Sequence, residues 1–130
     1  MKMKILAIDD SKAIRFLLQT VLGGEYHVTT VPDGCSAMHI LAKKGVPDLI
    51  IADPQLPDMS DWELIEHLSS SGIYGSIPIV VLSAMDKRET EAKCLQYGIR
   101  KYFLKPFNPI DLSESIKDLL DISVAEPMSR

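Results

Sequence analysis

Short apolar runs alternate along the chain with stretches in which apolar residues recur every three or four positions. Ile5-Leu6-Ala7-Ile8, Asp48-Leu49-Ile50-Ile51-Ala52 and Ile79-Val80-Val81-Leu82 carry apolar side chains at successive positions. A strand covered on both faces requires that continuity, so each predicts a buried parallel strand. Tyr26-His27-Val28-Thr29-Thr30-Val31 is more mixed and predicts an edge strand, and Tyr102-Phe103-Leu104 predicts a short fifth. Ile14, Leu17, Leu18, Val21 and Leu22 form one stripe of an amphipathic helix, ended by Gly23-Gly24. Ala37, Met38 and Leu41 mark a second helix closed by Gly45. Ser60-Asp61-Trp62-Glu63 has the spacing of a capping box and leads into Leu64, Ile65 and Leu68. Asn108-Pro109 is an N-cap followed by proline at the first helical position, leading into Leu112, Ile116, Leu119 and Leu120. Residues 86–97 are the weak segment. Six of the first eight are charged, and Ala92, Cys94 and Leu95 are the expected apolar anchors. A loosely held helix is predicted there.

Five strand–helix repeats predict an α/β fold, a doubly wound five-stranded parallel sheet with helices on both faces and right-handed crossovers. A chain of 130 residues makes one core, assigned to residues 1–121, with 122–130 as a tail or truncated linker. Hydrophobic residues make up 46% and charged residues 25%, which is enough apolar surface to exclude disorder over most of the chain. The net charge of −4, without a run of Lys or Arg, argues against direct nucleic-acid binding. The first apolar stretch breaks at Asp9, too early for a signal sequence, and Ile77 to Leu82 contains Pro78 and is too short for a bilayer. Cys35 and Cys94 have no metal or disulfide spacing, as expected in a reducing cytoplasm, and read as plain surface or core residues.

The candidate chemistry lies just after the apolar runs. In a parallel sheet all strand C-termini share one rim, and ligands bind there where strand order reverses. The first run ends in Asp9-Asp10, the third in Asp53, the fourth in Ser83, and the fifth is followed by Lys105. Singly, these residues could be helix caps, a turn residue before Pro54 and a solvated lysine. Bland roles of that kind do not predict their coincidence on one rim. Three converging carboxylates repel one another unless a cation joins them. All-oxygen donors select a hard ion, and few ligands with room for water favour Mg²⁺ over Ca²⁺. His27, His39 and His67 fall away from the rim and read as structural or surface residues. A carboxylate beside Mg²⁺ and an ammonium group is a nucleophile toward a phosphoryl group, and its product is an aspartyl phosphate.

Asp9-Asp10-Ser11, Asp53 with Pro57 four residues on, Ser83-Ala84, and Tyr102 with Lys105-Pro106-Phe107 together resemble the receiver domain of bacterial two-component response regulators. The resemblance spans residues 3 to about 121 and implies the flavodoxin-like receiver fold with strand order 2-1-3-4-5. It implies that Asp53 accepts a phosphoryl group from a histidine of a sensor kinase or phosphotransfer protein. Asp9, Asp10, Asp53 and the Gln55 carbonyl would hold Mg²⁺. Lys105 would pair with Asp53 and then with the phosphoryl group, which the Gln55 and Ala84 amides would also bind. Ser83 would be the switch hydroxyl and Tyr102 the switch aromatic. The Lys105–Pro106 peptide would be cis, aiming Lys105 inward. The implied protein is not an enzyme acting on other substrates; it catalyses only its own phosphorylation and dephosphorylation. The change falls on the face of helix four, strand five and helix five. A downstream effector, a missing output domain or a phosphorylation-dependent homodimer would read it.

Two positions depart from that family. Pro54 follows Asp53 and removes one N–H near the phosphate. Asp61 stands where the family usually has glycine, and would need to tolerate positive φ if that site requires it. Trp62 is either a core anchor or a reporter near the rim. Three rival readings differ in chemistry. A flavodoxin-like cofactor binder would need a Gly-rich phosphate loop that the chain lacks. A phosphatase with an aspartate nucleophile would need a second acid two residues after Asp53, where Gln55 stands. A degenerate receiver would act as a phosphorylation-independent docking module.

Overall fold

The computed structural model describes residues 2–125. The elements alternate without exception: β1 (Lys4–Ile8), α1 (Lys12–Leu22), β2 (His27–Val31), α2 (Gly34–Lys44), β3 (Leu49–Ala52), α3 (Glu63–Ser69), β4 (Ile79–Ser83), α4 (Lys87–Gln96), β5 (Lys101–Leu104) and α5 (Pro109–Ala125). All neighbouring strands are parallel, in the order β2-β1-β3-β4-β5. This is the flavodoxin-like receiver fold that the alternating pattern and the resemblance predicted. The chain reverses direction across the sheet between β1 and β3, which opens a crevice at their C-terminal ends.

Alternation of side chains along each strand divides the core in two. Ile5, Ala7, Leu49, Ile51, Val80 and Leu82 face α1 and α5, where Leu18, Leu22, Leu112 and Ile116 meet them. Leu6, Ile8, Ile50, Ala52, Ile79 and Val81 face the layer of α2, α3 and α4. The central strands β1, β3 and β4 are buried throughout their apolar lengths, while β2 and β5 are half-exposed edges.

Three details differ from the sequence expectation. The capping box before α3 forms by half: the Ser60 N–H donates to the Glu63 carboxylate at 2.9 Å, while the residue capping the helix is Trp62. Trp62 has φ 67°, so the left-handed residue is Trp62 and not Asp61. A left-handed non-glycine residue costs roughly 1–2 kcal/mol, which burial of a large indole offsets. Trp62 is a core anchor, 2% exposed, with its ring 6.3 Å from that of Tyr97 at the end of α4.

The second difference is in α4. Its buried residues are Thr90 and Cys94, whereas Ala92 is exposed and Leu95 is 83% exposed. Residues four apart share a helix face, and each intervening step turns the chain by about 100°. Once Thr90 and Cys94 face the sheet, Ala92 and Leu95 point away. The helix is held by little apolar area, as expected, but a threonine supplies half of its buried face. Burial pushes the Cys94 thiol up to about 11. Third, α5 runs to Ala125, so the boundary predicted after residue 121 falls inside this helix. Residues 126–130 of the expected tail lie outside the described residues.

Candidate phosphoacceptor site

Strand register places the acids side by side. Ile8 of β1 pairs with Ala52 of β3, so Asp9 and Asp53 leave the sheet together. Backbone hydrogen bonds carry the alignment one residue further: Asp53 N–H donates to the Ile8 carbonyl at 3.0 Å, and Asp9 N–H to the Val31 carbonyl at 3.1 Å. Across the crevice, Ser83 pairs with Leu104, and the Lys105 N–H donates to the Ser83 carbonyl at 2.8 Å. The Lys105–Pro106 peptide is cis.

Side chains then converge on one pocket. Carboxylate oxygens of Asp9, Asp10 and Asp53 lie within 4.8 Å of one another. The Lys105 ammonium donates to Asp53 Oδ2 at 2.7 Å and lies 2.8 Å from Asp9 Oδ2. Asp9 and Asp53 are 1% and 5% exposed, whereas Asp10 faces solvent. The other oxygens are held locally: Asp9 Oδ1 accepts the Ser11 N–H at 2.9 Å, and Asp53 Oδ1 accepts the Gln55 N–H at 2.8 Å. Arg15 fixes the turn by donating to the Asp9 carbonyl at 2.8 Å.

Burial raises the Asp53 carboxyl above its ordinary value, against the opposing pull of Lys105 and the Gln55 amide. Lys105 is itself raised: burial lowers it, but its two carboxylate partners outweigh that. The ammonium thus stays charged and screens two acids that would otherwise repel. Asp9 Oδ2, although paired in charge with Lys105, has no aligned hydrogen bond among the described residues. Two buried carboxylates and an exposed third, with no nitrogen or sulfur ligand among them, fit a hard divalent cation. The exposed Asp10 leaves room for its water.

Ser83 and Tyr102 are placed differently from the acids. The Ser83 hydroxyl is fully buried, accepts the Met85 N–H at 3.0 Å and is 2.8 Å from the Thr90 hydroxyl on α4. The Tyr102 hydroxyl donates to Glu91, the next residue of α4, at 2.9 Å. Ala84, the residue after β4, is exposed. The structure therefore brings Asp9, Asp10, Asp53, Lys105 and the Gln55 amide together, and ties both expected switch residues to α4. His27, His39 and His67 are exposed on β2, α2 and α3.

The loop after Asp53 is anchored by Pro54 and by two residues that carry no local sequence signal, Asp58 and Met59. Pro54 is buried, and its carbonyl accepts the Trp62 N–H at 2.8 Å. The Asp58 carboxylate accepts the Gly34 and Cys35 N–H groups at 2.9 and 2.8 Å, closing the N-terminus of α2 from a different loop. Those amides hold the Asp58 carboxyl below its usual value, and hydrogen bonding to Asp58, with its charge, raises the exposed Cys35 thiol. Met59 packs on Gly34, where a Cβ would collide with its side chain. Nothing local marks Asp58, because its partners are 24 and 23 residues away. Thr90 had a faint signal, as the one polar uncharged residue among the charges of early α4.

The family profile of the response regulator receiver domain matches residues 5–117. The chain is 33% identical over 115 residues to the two-component response regulator ORR6 of Oryza sativa subsp. japonica, covering 86% of this chain and 68% of the relative. It is 30% identical over 122 residues to the sensor histidine kinase TmoS of Ectopseudomonas mendocina, but spans only 12% of that protein. Among solved structures, the chemotaxis response regulator CheY4 of Vibrio cholerae superposes with a TM-score of 0.79 at 30% identity, covering 91% of this chain and 98% of that one. A CheY-like receiver domain protein of Methanospirillum hungatei gives 0.86 at 28% identity, covering 97% and 99%. The fold and its relatives define a signalling domain of the two-component type. The chain belongs to the response regulator receiver domain family. Among the described residues no helix is long and apolar enough to cross a membrane.

Proposed function

We propose that this chain is a phosphorylation-controlled switch in which Asp53 accepts a phosphoryl group from a phosphohistidine of a sensor kinase or phosphotransfer protein. The observation that carries the reading is the Lys105 ammonium bound to Asp53 inside a cluster of three carboxylates. An Asp53 oxygen attacks phosphorus, the new O–P bond forms as the donor's N–P bond breaks, and the electron pair returns to the imidazole nitrogen. Asp9, Asp10, Asp53 and the Gln55 carbonyl would hold Mg²⁺, which supplies charge neutralisation for the transferring oxygens. Lys105 keeps Asp53 oriented before transfer and then binds the product. The Gln55 and Ala84 amides supply further donors to the phosphoryl oxygens, and Pro54 supplies none.

The aspartyl phosphate carries about −1.5 to −2 charge, by analogy with other phosphorylated side chains, against −1 for the free carboxylate. That charge attracts the Ser83 hydroxyl and Lys105 and shifts the population toward a second state. Tyr102 turns inward, and the face of α4, β5 and α5 changes shape for an effector protein or an attached output domain. Incubation with acetyl phosphate and Mg²⁺ adds one phosphate per chain, read by intact mass, and Asp53→Asn abolishes the gain. Undiminished labelling of that variant overturns Asp53 as acceptor. Absence of labelling in the unaltered chain leaves the docking-module reading in its place.

A further inference from the structure

The bond between Ser83 and Thr90 has a consequence for switching. Both hydroxyls are fully buried, 2.8 Å apart, and join the end of β4 to the sheet-facing side of α4. Ser83 already accepts the Met85 N–H, so Thr90 completes its hydrogen bonding. A hydroxyl carries a single proton, so a Ser83 hydroxyl that donates it to Thr90 cannot also donate to a phosphoryl oxygen on Asp53. Resting on the switch reading above, we propose that Ser83 donates this bond and that Thr90, as its acceptor, is a positioning residue: a latch that holds the Ser83 hydroxyl away from the acidic pocket and sets how readily Asp53 phosphorylation moves α4.

Three features of α4 make a single hydroxyl matter. The helix buries only Thr90 and Cys94, so one buried bond is a large share of what holds it down. Next in sequence, Glu91 accepts the Tyr102 hydroxyl, so adjacent residues of one turn anchor both switch side chains. Release of Thr90 therefore loosens the same turn that keeps Tyr102 at the surface. Thr90 also has a partner to fall back on. Its N–H bonds the Asp86 carbonyl at 3.0 Å, and a threonine hydroxyl in a helix can share the carbonyl four residues back. Opening the latch thus leaves Thr90 satisfied, while closing it satisfies Ser83.

Removing the Thr90 hydroxyl should raise the energy of the resting state only, because Ser83 loses a partner there and keeps its phosphoryl partner in the other state. Beryllofluoride in the presence of Mg²⁺, titrated by calorimetry, is the probe. Thr90→Val keeps the volume and is expected to bind beryllofluoride roughly 3- to 10-fold tighter, the factor expected for one hydrogen bond. Thr90→Ser is expected to restore the original affinity. In a Ser83→Ala background, Thr90→Val is expected to change nothing. Thr90→Ala gives the same direction if valine disturbs folding. A purely structural threonine would weaken both states alike, so equal affinity of Thr90→Val or Thr90→Ala and the unaltered chain overturns the latch. A gain that persists without the Ser83 hydroxyl overturns it as well. If the unaltered chain fails to bind beryllofluoride while remaining folded, the phosphoacceptor reading falls and the latch with it.

Discussion

The rim where β1 and β3 end and the edge where β4 passes into α4 are neighbours on one sheet, held by different forces. At the rim, the positions of Asp9 and Asp53 follow from strand pairing that is buried on both faces. Their side chains are then locked by backbone N–H donors and the Lys105 ammonium. At the edge, α4 lays a mostly charged helix over the sheet and rests on Thr90, Cys94, and hydroxyl bonds from Ser83 and Tyr102. Receiving a phosphoryl group demands fixed geometry, and signalling it demands an element that moves for little energy. On the proposed function, putting core on one side and hydroxyl contacts on the other would meet both demands.

The contrast can be broken most directly at Leu82, fully buried in β4, and Leu95, exposed on α4. Leu82→Ala should cost about 2–5 kcal/mol and Leu95→Ala no more than about 0.5, compared by urea unfolding. Similar losses at both would mean that α4 is packed as firmly as the sheet. Next in size is Lys105→Ala. Mg²⁺ should still bind, since the carboxylates remain, while the change in amide exchange over residues 83–105 induced by beryllofluoride disappears. A full response in that variant would place the coupling elsewhere. Tyr102→Phe tests the edge alone: loss of an exposed bond to Glu91 should speed exchange in α4 by less than about fivefold and leave the unfolding midpoint in place.

The smallest expected effect concerns the loop that carries Asp53. Asp58 has its carboxyl lowered from 3.8 by the Gly34 and Cys35 amides, so its folded form favours the ionised state. Its contribution is present above that value and is lost as pH falls through the lower folded value. The urea midpoint should therefore drop on acidification below about pH 4, and Asp58→Asn should flatten that part of the profile. An unchanged slope would remove Asp58 as the tether between the acceptor loop and α2.

Most of the rim was legible in the chain itself, since each functional residue directly follows an apolar run and parallel strands end together. Asp9, Asp53, Ser83 and Lys105 could be placed on one rim for that reason alone. The edge was legible only as weakness. Charge density showed that residues 86–97 would hold loosely, but Ala92 and Leu95 were expected to anchor them, because apolar type was the only guide available. Thr90 took that place because its hydroxyl meets a buried partner on another strand. Local preference favours Asp61 over Trp62 for the left-handed position before α3. Burial of the Trp62 indole overrode that preference.

Periodicity determined the number and kind of elements, their division between two faces and the rim on which the chemistry would gather, because strand and helix repeats are properties of consecutive residues. Only the folded arrangement decided which acids share an ion pair with Lys105, that Asp58 closes α2, and that Ser83 is held by Thr90. Each of those is a contact between residues on different elements, and its energy exists only once packing has brought them within hydrogen-bonding reach and shut out water.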